Sequence, residues 1–569
     1  MTDAAEPKPS LWSAIAVYGE RRSLVMLALG FASGLPNLLI FDTLSAWLRD
    51  AGLSLEVIGF FSLATLAYSL KLLWAPLVDR AKIPGLTAWL GHRRSWMLAC
   101  QALIILGLWL ISGANPKTGL PLMAAFAVFV GFVSATQDIV IDAWRIEAVT
   151  EERQGAMAAA YQWGYRIAII VAGVAPLLMS EVVGWNLSYA AMAVLMAIGV
   201  LGVFGAPREA AHQIRPIDYK DAPEAPARDV IEWLARLAVV VLGGMIFGSG
   251  LAGDASLLKG LLSALGQGAT GEALAAAWEA KGTGIFVQLA GIVVGTLVVV
   301  AAALPIPGLK TRPGIYLSSA LADPFIDFFK RYAGVAGLIL ALICVYRLSD
   351  FVLNIMNPFY IDLGFDKLQI AEVRKGLGVV MSVIGVGLGG FAVARLGLMR
   401  ALIIGAFAGP ISNLIFAWLA MQGPQLWALS VAIGVDNIAS GFAGTCLIAY
   451  MSSLTGEGFT ATQYAMFSSF YALLGKLVAS QSGRIVEAAA ASADHGGAIA
   501  GLKGLFSALP QEAFASAMEK SHVSAQALGA GYVTFFVYSA ALGVLGVLLT
   551  LIVAARSAKA APPETPAVS

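Results

Sequence analysis

Charge is what this sequence has least of. Only 12% of its 569 residues are Asp, Glu, Lys or Arg, about half the share found in a soluble globular domain. The 36 Lys and Arg almost cancel the 35 Asp and Glu, so no basic face points to nucleic acid. Cysteine is nearly absent: Cys100, Cys344 and Cys446 lie singly inside apolar runs, which excludes a disulfide framework. The four histidines, His92, His212, His495 and His522, are scattered through polar segments. No Cys/His metal spacing, nucleophile elbow or phosphate loop is found, so neither catalysis nor ATP hydrolysis has a motif to rest on, and no cofactor is expected. A cleavable leader is not expected either. The first twenty residues are polar and lack a small-residue cleavage pattern before Arg21-Arg22.

Apolar sequence fills the space that charge leaves. Hydrophobic residues make up 59% of the chain and mean hydropathy is +0.80. A helix needs about 20 such residues to cross a bilayer. About fourteen runs qualify, near 23–48, 54–78, 95–115, 120–144, 155–180, 185–206, 230–252, 283–305, 333–360, 368–394, 398–421, 425–452, 461–486 and 530–555. They are too long and too unbroken for barrel strands. With the amino terminus in the cytoplasm, cytoplasmic loops hold about three times the Lys and Arg of the opposite loops. An even count then places both termini in the cytoplasm. Residues 253–282 and 488–528 read as Ala/Gly-rich surface segments with helical periodicity.

The expected fold is therefore an all-α polytopic membrane protein built from two six-helix bundles and an extra helix pair. Its parts are a cytoplasmic amino-terminal segment (1–22), a first bundle (23–206), a linker (207–229) and the extra pair (230–305). A second cytoplasmic linker (306–332), a second bundle (333–555) and a cytoplasmic tail (556–569) follow. Weak internal symmetry supports two repeats. Lys71 is echoed by Lys375, and Tyr161-Gln162 by Gln463-Tyr464. The loop Asp79-Arg80 … Gly91-His92-Arg93-Arg94 resembles the Asp-Arg … Gly-Arg-Arg loop of major facilitator transporters, stretched by an insertion. Asp142 and Arg145 are its expected partners in a gating charge cluster.

An ionised side chain at the bilayer centre costs at least about 2.5–3.5 kcal/mol, so it needs a partner or a watery cavity. Here such residues fall on the helices that would line one cavity. Carboxylates are Asp42, Asp138, Asp142, Asp350 and Asp436; amides are Asn37, Gln137, Gln162, Asn354, Asn357 and Asn437; cations are Lys71, Arg166, Arg347, Lys375 and Lys476. The set suits a large, hydrogen-bonding solute. Proton-coupling candidates are Asp138, Asp142 and Asp436. Substrate-binding candidates are Lys71, Gln137, Asp138, Tyr161, Gln162, Arg166, Asn354, Asn437 and Lys476. Each has a plain structural reading beside it. Asp42 sits near a span end. Asp138 can pair with Lys71 or Arg166, Asp142 with Arg80, and Arg347 with Asp350 at i,i+3 spacing. Lys375 can snorkel, and Tyr161, Trp163, Tyr165 and Tyr464 can serve as packing residues. Gly34-Leu35-Pro36 is expected to kink the first helix.

Three stretches resemble the AmpG family of muropeptide permeases, a branch of the major facilitator class. They are Gly30–Pro36 with Ala46–Asp50, then Ile58–Leu63 continuing through Lys71–Arg80, and, most specifically, Ser134–Arg145 (SATQDIVIDAWR). The resemblance implies proton-driven import of N-acetylglucosaminyl-1,6-anhydro-N-acetylmuramyl peptides through the bacterial inner membrane, feeding peptidoglycan recycling and, in some species, β-lactamase induction. It places Lys71, Gln137, Asp138 and Asp142 in the matching stretches, whereas the second half matches more loosely. A monomer without a cofactor, energised by the proton gradient, is expected. The alternatives are a transporter of another solute (a peptide, siderophore or acyl-CoA compound), a polytopic membrane enzyme, or a sensor that binds without transporting.

Overall fold

The computed structural model describes residues 16–52, 68, 71–208, 217, 219, 222–252, 254–280, 283–304, 306–350, 355–479, 482–507, 509–510, 513–515, 518 and 523–560. Among these, every regular element is helical. Nine helices of the described residues are long and apolar enough to cross a membrane. The second predicted run, 54–78, lies largely outside the described residues, so only its end from Lys71 enters the account below.

The first half contains α1 (Arg21–Asp50), α2 (His92–Gly113), α3 (Leu120–Glu147) and a stretch Gln154–Gly205 that holds two crossings. That stretch breaks at Gly184, whose φ of 80° and ψ of 163° are open to glycine but strained for other residues; α4 (154–183) precedes it and α5 (185–205) follows. Pro36 lies within α1 and lacks the N–H that a helix interior uses, and a π-turn at Leu39–Thr43 follows it. Helices α1 and α4 touch backbone to backbone. A Cβ added to Gly164 would stand 1.9 Å from the Leu27 carbonyl oxygen, and one added to Gly30 2.2 Å from that of Tyr161. Small residues allow this approach, in which van der Waals contact replaces a hydrophobic driving force.

The extra pair is α6 (Pro226–Ala252) and α7 (Gly284–Ala303), with short helices Ser256–Ala264 and Gly268–Glu279 between them. Arg236 of α6 pairs with Glu232 at 2.7 Å and donates to the carbonyls of Ala302 and Leu304, which the end of α7 leaves without helical partners.

Residues 306–332, expected as a linker, contain a helix, α8 (Arg312–Arg331), capped by Thr311 and bent 107° from the helix after it. Pro313, Ala320, Pro324 and Phe328 are buried along it while its cations stay outside. It therefore lies across the end of the bundle as an amphipathic helix rather than passing through.

The second half comprises α9 (Ala336–Val345), a short helix Met356–Leu363, α10 (Lys367–Leu396), α11 (Leu398–Gln422), α12 (Leu426–Ser453), α13 (Thr460–Ala479), α14 (Ser482–Asp494) and α15 (Ala525–Ala560). The expected run 333–360 is interrupted after Val345. Within that break the Ser349 carbonyl accepts from Asn413 Nδ2 and Ser539 Oγ, both at 3.0 Å, so a buried acceptor finds partners. The run 461–486 is helical over its described residues, as α13 and the start of α14, and α14 packs on α15. Each half has its own apolar core. Leu35, Ile104, Met123 and Tyr189 mark the first, and Phe359, Phe416, Tyr532 and Phe536 the second.

Candidate functional site

The predicted polar residues separate into two groups, one inside the bundle and one at the end that carries both described termini, here called the basic face. Inside, Asp138 of α3 is 8% exposed and accepts a hydrogen bond from Ser33 of α1. Ser33 Oγ in turn lies 2.8 Å from the Tyr161 hydroxyl of α4. One turn along the same helices, Asn37 donates to the Tyr165 hydroxyl at 2.6 Å. The close crossing of α1 and α4 produces this ladder, because residues four apart on each helix face their counterparts on the other.

Lys71 is buried and its ammonium lies 3.9 Å from Asp142, which also meets Arg145 at 3.3 Å. The structure thus pairs Lys71 with Asp142, rather than Lys71 with Asp138 or Arg80 with Asp142. Gln137 is fully buried and donates to the Ala32 carbonyl at 2.9 Å. It straps α3 to α1 and does not face open space.

Across the interior, Arg347 meets Asp350 and donates to Ser440 at 2.6 Å. Side-chain exposures of 17% and 21% leave this pair in reach of solvent at the middle of the bundle. Arg166 is half-buried and lies within electrostatic reach of Arg347 and Asp436. Gln162 crosses between the halves and donates to Thr445 at 2.7 Å. Asn437 turns back to the Ile433 carbonyl of its own helix. Lys375 and Asp42 are exposed near span ends. Asn354 and the side chain of Lys476 lie outside the described residues.

At the basic face a second cluster joins the halves. Asp79 accepts from Arg93 at 2.8 Å, from the Thr462 N–H at 2.8 Å, from the Thr462 hydroxyl at 2.6 Å and from the Ala461 N–H at 3.3 Å. Arg93, fully buried, also grips both oxygens of Glu147 at 2.7 and 3.1 Å. Arg145 donates to Ser452 at 2.8 Å and lies over the Tyr464 ring at 5.0 Å. Arg94 donates to the Val203 carbonyl and so stays within the first half. Arg80 ends the short helix Ala75–Arg80 and is half-buried. Further in, Tyr18 reaches the Gly387 carbonyl at 3.3 Å and Trp163 that of Val383 at 2.9 Å. These contacts seal the interior toward the basic face.

Sequence reasoning missed Ser33, Glu147, Thr462 and Gln463. Ser33 and Thr462 carry no charge to flag them in apolar runs. Glu147 stands two residues past Arg145, and an acid closing α3 opposite Arg93-Arg94 was a readable signal. Gln463 was read only for its symmetry with Gln162. Its amide donates to the Pro324 carbonyl at 2.8 Å and its oxygen accepts from Arg331 at 2.8 Å.

The family model described as Major Facilitator Superfamily matches residues 23–480. The anhydromuropeptide permease of Escherichia coli K12 is 30% identical over 477 residues, covering 83% of this chain and 76% of that protein. The chain belongs to the AmpG branch of the major facilitator superfamily. A transporter named AmpG 4 of Rickettsia felis is 28% identical over 473 residues, covering 83% of this chain and 91% of its own. Among solved structures, the proton:xylose symporter XylE bound to 6-bromo-6-deoxy-D-glucose matches at a TM-score of 0.51 and 11% identity. It covers 95% of this chain and 96% of its own, a likeness of fold alone. As a member of the superfamily this is a multi-pass membrane transporter.

Proposed function

We propose that this protein imports N-acetylglucosaminyl-1,6-anhydro-N-acetylmuramyl peptides from periplasm to cytoplasm through the bacterial inner membrane, as a monomer driven by the proton gradient. The carrying observation is the kinship to the Escherichia coli anhydromuropeptide permease, which runs through both halves rather than through one motif. The interior supports it. Hydroxyls, amides and charges from α1, α3, α4, α12 and the break after α9 suit a ligand that combines sugars with a peptide. Asp138 is the proton carrier, Arg166 and Arg347 take the carboxylates of the peptide stem, and Tyr161, Tyr165 and Asn37 face the sugars. Both termini lie in the cytoplasm by the distribution of Lys and Arg, so the sealed basic face corresponds to the conformation that receives cargo from the periplasm. Delivered muropeptides also act as inducers of β-lactamase in species that carry the inducible enzyme.

The test is uptake of labelled anhydro-muropeptide into proteoliposomes with and without an imposed pH gradient. Gradient-stimulated uptake that other peptides and sugars fail to compete supports the reading. Uptake of an unrelated solute with no muropeptide flux would sink it.

A further inference from the structure

Proton coupling requires that Asp138 exchange a proton with water, and its surroundings leave little room for water to arrive. The carboxylate is 8% exposed, and Ser33, which donates to it, is 0% exposed. Tyr161, on the far side of Ser33, is only half-buried. The three groups form a line from a sealed acid, through a sealed hydroxyl, to a hydroxyl on a half-exposed side chain.

The other polar neighbours are differently engaged. On α1, Asn37 is held by Tyr165. Beside the second span, Lys71 meets Asp142, and Tyr68 donates to Ser134 at 2.8 Å. On α3 itself, Asp142 is also tied to Arg145. Tyr464 of α13 lies under Arg145, and Cys100 of α2 is buried with its thiol uncommitted to an ion pair. Of these groups, Ser33 alone links Asp138 to a further hydroxyl.

We propose that Tyr161 and Ser33 form a two-hydroxyl relay through which Asp138 gains and loses its proton, an inference that rests on the proton-coupled reading above. In the charging direction a proton from cavity water binds the Tyr161 oxygen. Tyr161 passes its original proton to Ser33 Oγ, and Ser33 passes its own to Asp138 Oδ1. Each hydroxyl forms one O–H bond and breaks one, both end neutral, and one proton has moved inward. The reverse sequence discharges Asp138. The role of Ser33 is thus separate from cargo contact, and Tyr161 has a purpose beyond offering a ring to a sugar.

The experiment compares full-length wild type, Ser33→Ala, Ser33→Thr, Tyr161→Phe and Asp138→Asn in proteoliposomes. Gradient-driven uptake of anhydro-muropeptide is measured across a pH series, and so is equilibrium counterflow, which needs no net proton transfer. The readout is the ratio of the two rates. Ser33→Ala and Tyr161→Phe are expected to lower that ratio by about tenfold or more and to move the uptake profile toward lower pH, while Ser33→Thr, which keeps a hydroxyl, restores it. An unchanged ratio in both hydroxyl-free variants, with Asp138→Asn still impaired, overturns the relay and leaves the proton-coupled reading standing. Wild-type uptake indifferent to the gradient, or an Asp138→Asn variant with normal coupling, removes the coupling assignment and the relay with it.

Discussion

Replacing Asp79 by Asn tests whether the basic face is held shut by one carboxylate. The first turn of α13 donates three hydrogen bonds to Asp79, two of them from backbone N–H groups. The link to Arg93 lies within the first half and persists whichever way the interior opens, so it drops out of the difference between states. What remains is a cap and a charge at a helix amino terminus. Loss of a cap costs about 0.5–2 kcal/mol. A charge at a partly buried helix end contributes up to about 2 kcal/mol. Together the closed face should lose about 2–3 kcal/mol relative to the open one, which is about 30- to 150-fold in their ratio. A closed population of about a hundred to one would fall to near parity. Spin labels at Trp89 and Leu396, 64% and 44% exposed on the two halves, report the separation by pulsed dipolar spectroscopy. Asp79→Asn should populate a longer distance. Arg93→Gln serves as contrast: it removes the cation shared by buried Asp79 and half-buried Glu147, and should reduce thermal stability by about 1.5–3 kcal/mol. An Asp79→Asn distance distribution that matches wild type would refute the lock.

Other outcomes follow from the packing. Gly164→Ala places a methyl 1.9 Å from the Leu27 carbonyl oxygen, so it should force α1 and α4 apart at about 1–3 kcal/mol, seen as a lower melting temperature. Gly337→Ala in α9 meets nothing within 4 Å and should be neutral or stabilising by up to about 1 kcal/mol. Asn413→Leu removes a donor to Ser349 and Ser539 and should cost about 1–3 kcal/mol, checked by thermal unfolding in detergent. Arg166→Gln should weaken muropeptide binding about tenfold or more in a titration with purified protein, and a cargo lacking the peptide should bind both forms alike.

The crossings were legible because apolar length is a nearly sufficient signal in lipid. Polar interruptions were harder to place. The helix α8 is hidden within a polar linker because its Asp, Lys and Arg break the apolar count, although Thr311-Arg312-Pro313 is a readable helix start with proline in the first turn. The break after Val345 carried no Gly or Pro to announce it; its acceptor is satisfied by Asn413 and Ser539, which lie far along the chain. Burial at a cost located the charged interior correctly as a set, but not its pairs. Lys71 took Asp142 rather than Asp138 because pairing depends on which faces meet between helices, and one sequence without its fold does not give the rotation of each helix.

The helix α13 begins with Phe459 in the position where a capping oxygen would normally stand, and the carbonyl of Phe459 already accepts from Gln463. The oxygen that closes its first turn belongs to Asp79, 383 positions before Thr462. Secondary structure in one half therefore ends on a side chain of the other. When the halves part at this face, water has to take over those donors, and the first turn of α13 should fray with every transport cycle. Amide hydrogen exchange at Ala461 and Thr462 would then act as a clock for the cycle, reading turnover from two backbone protons without any label on the cargo.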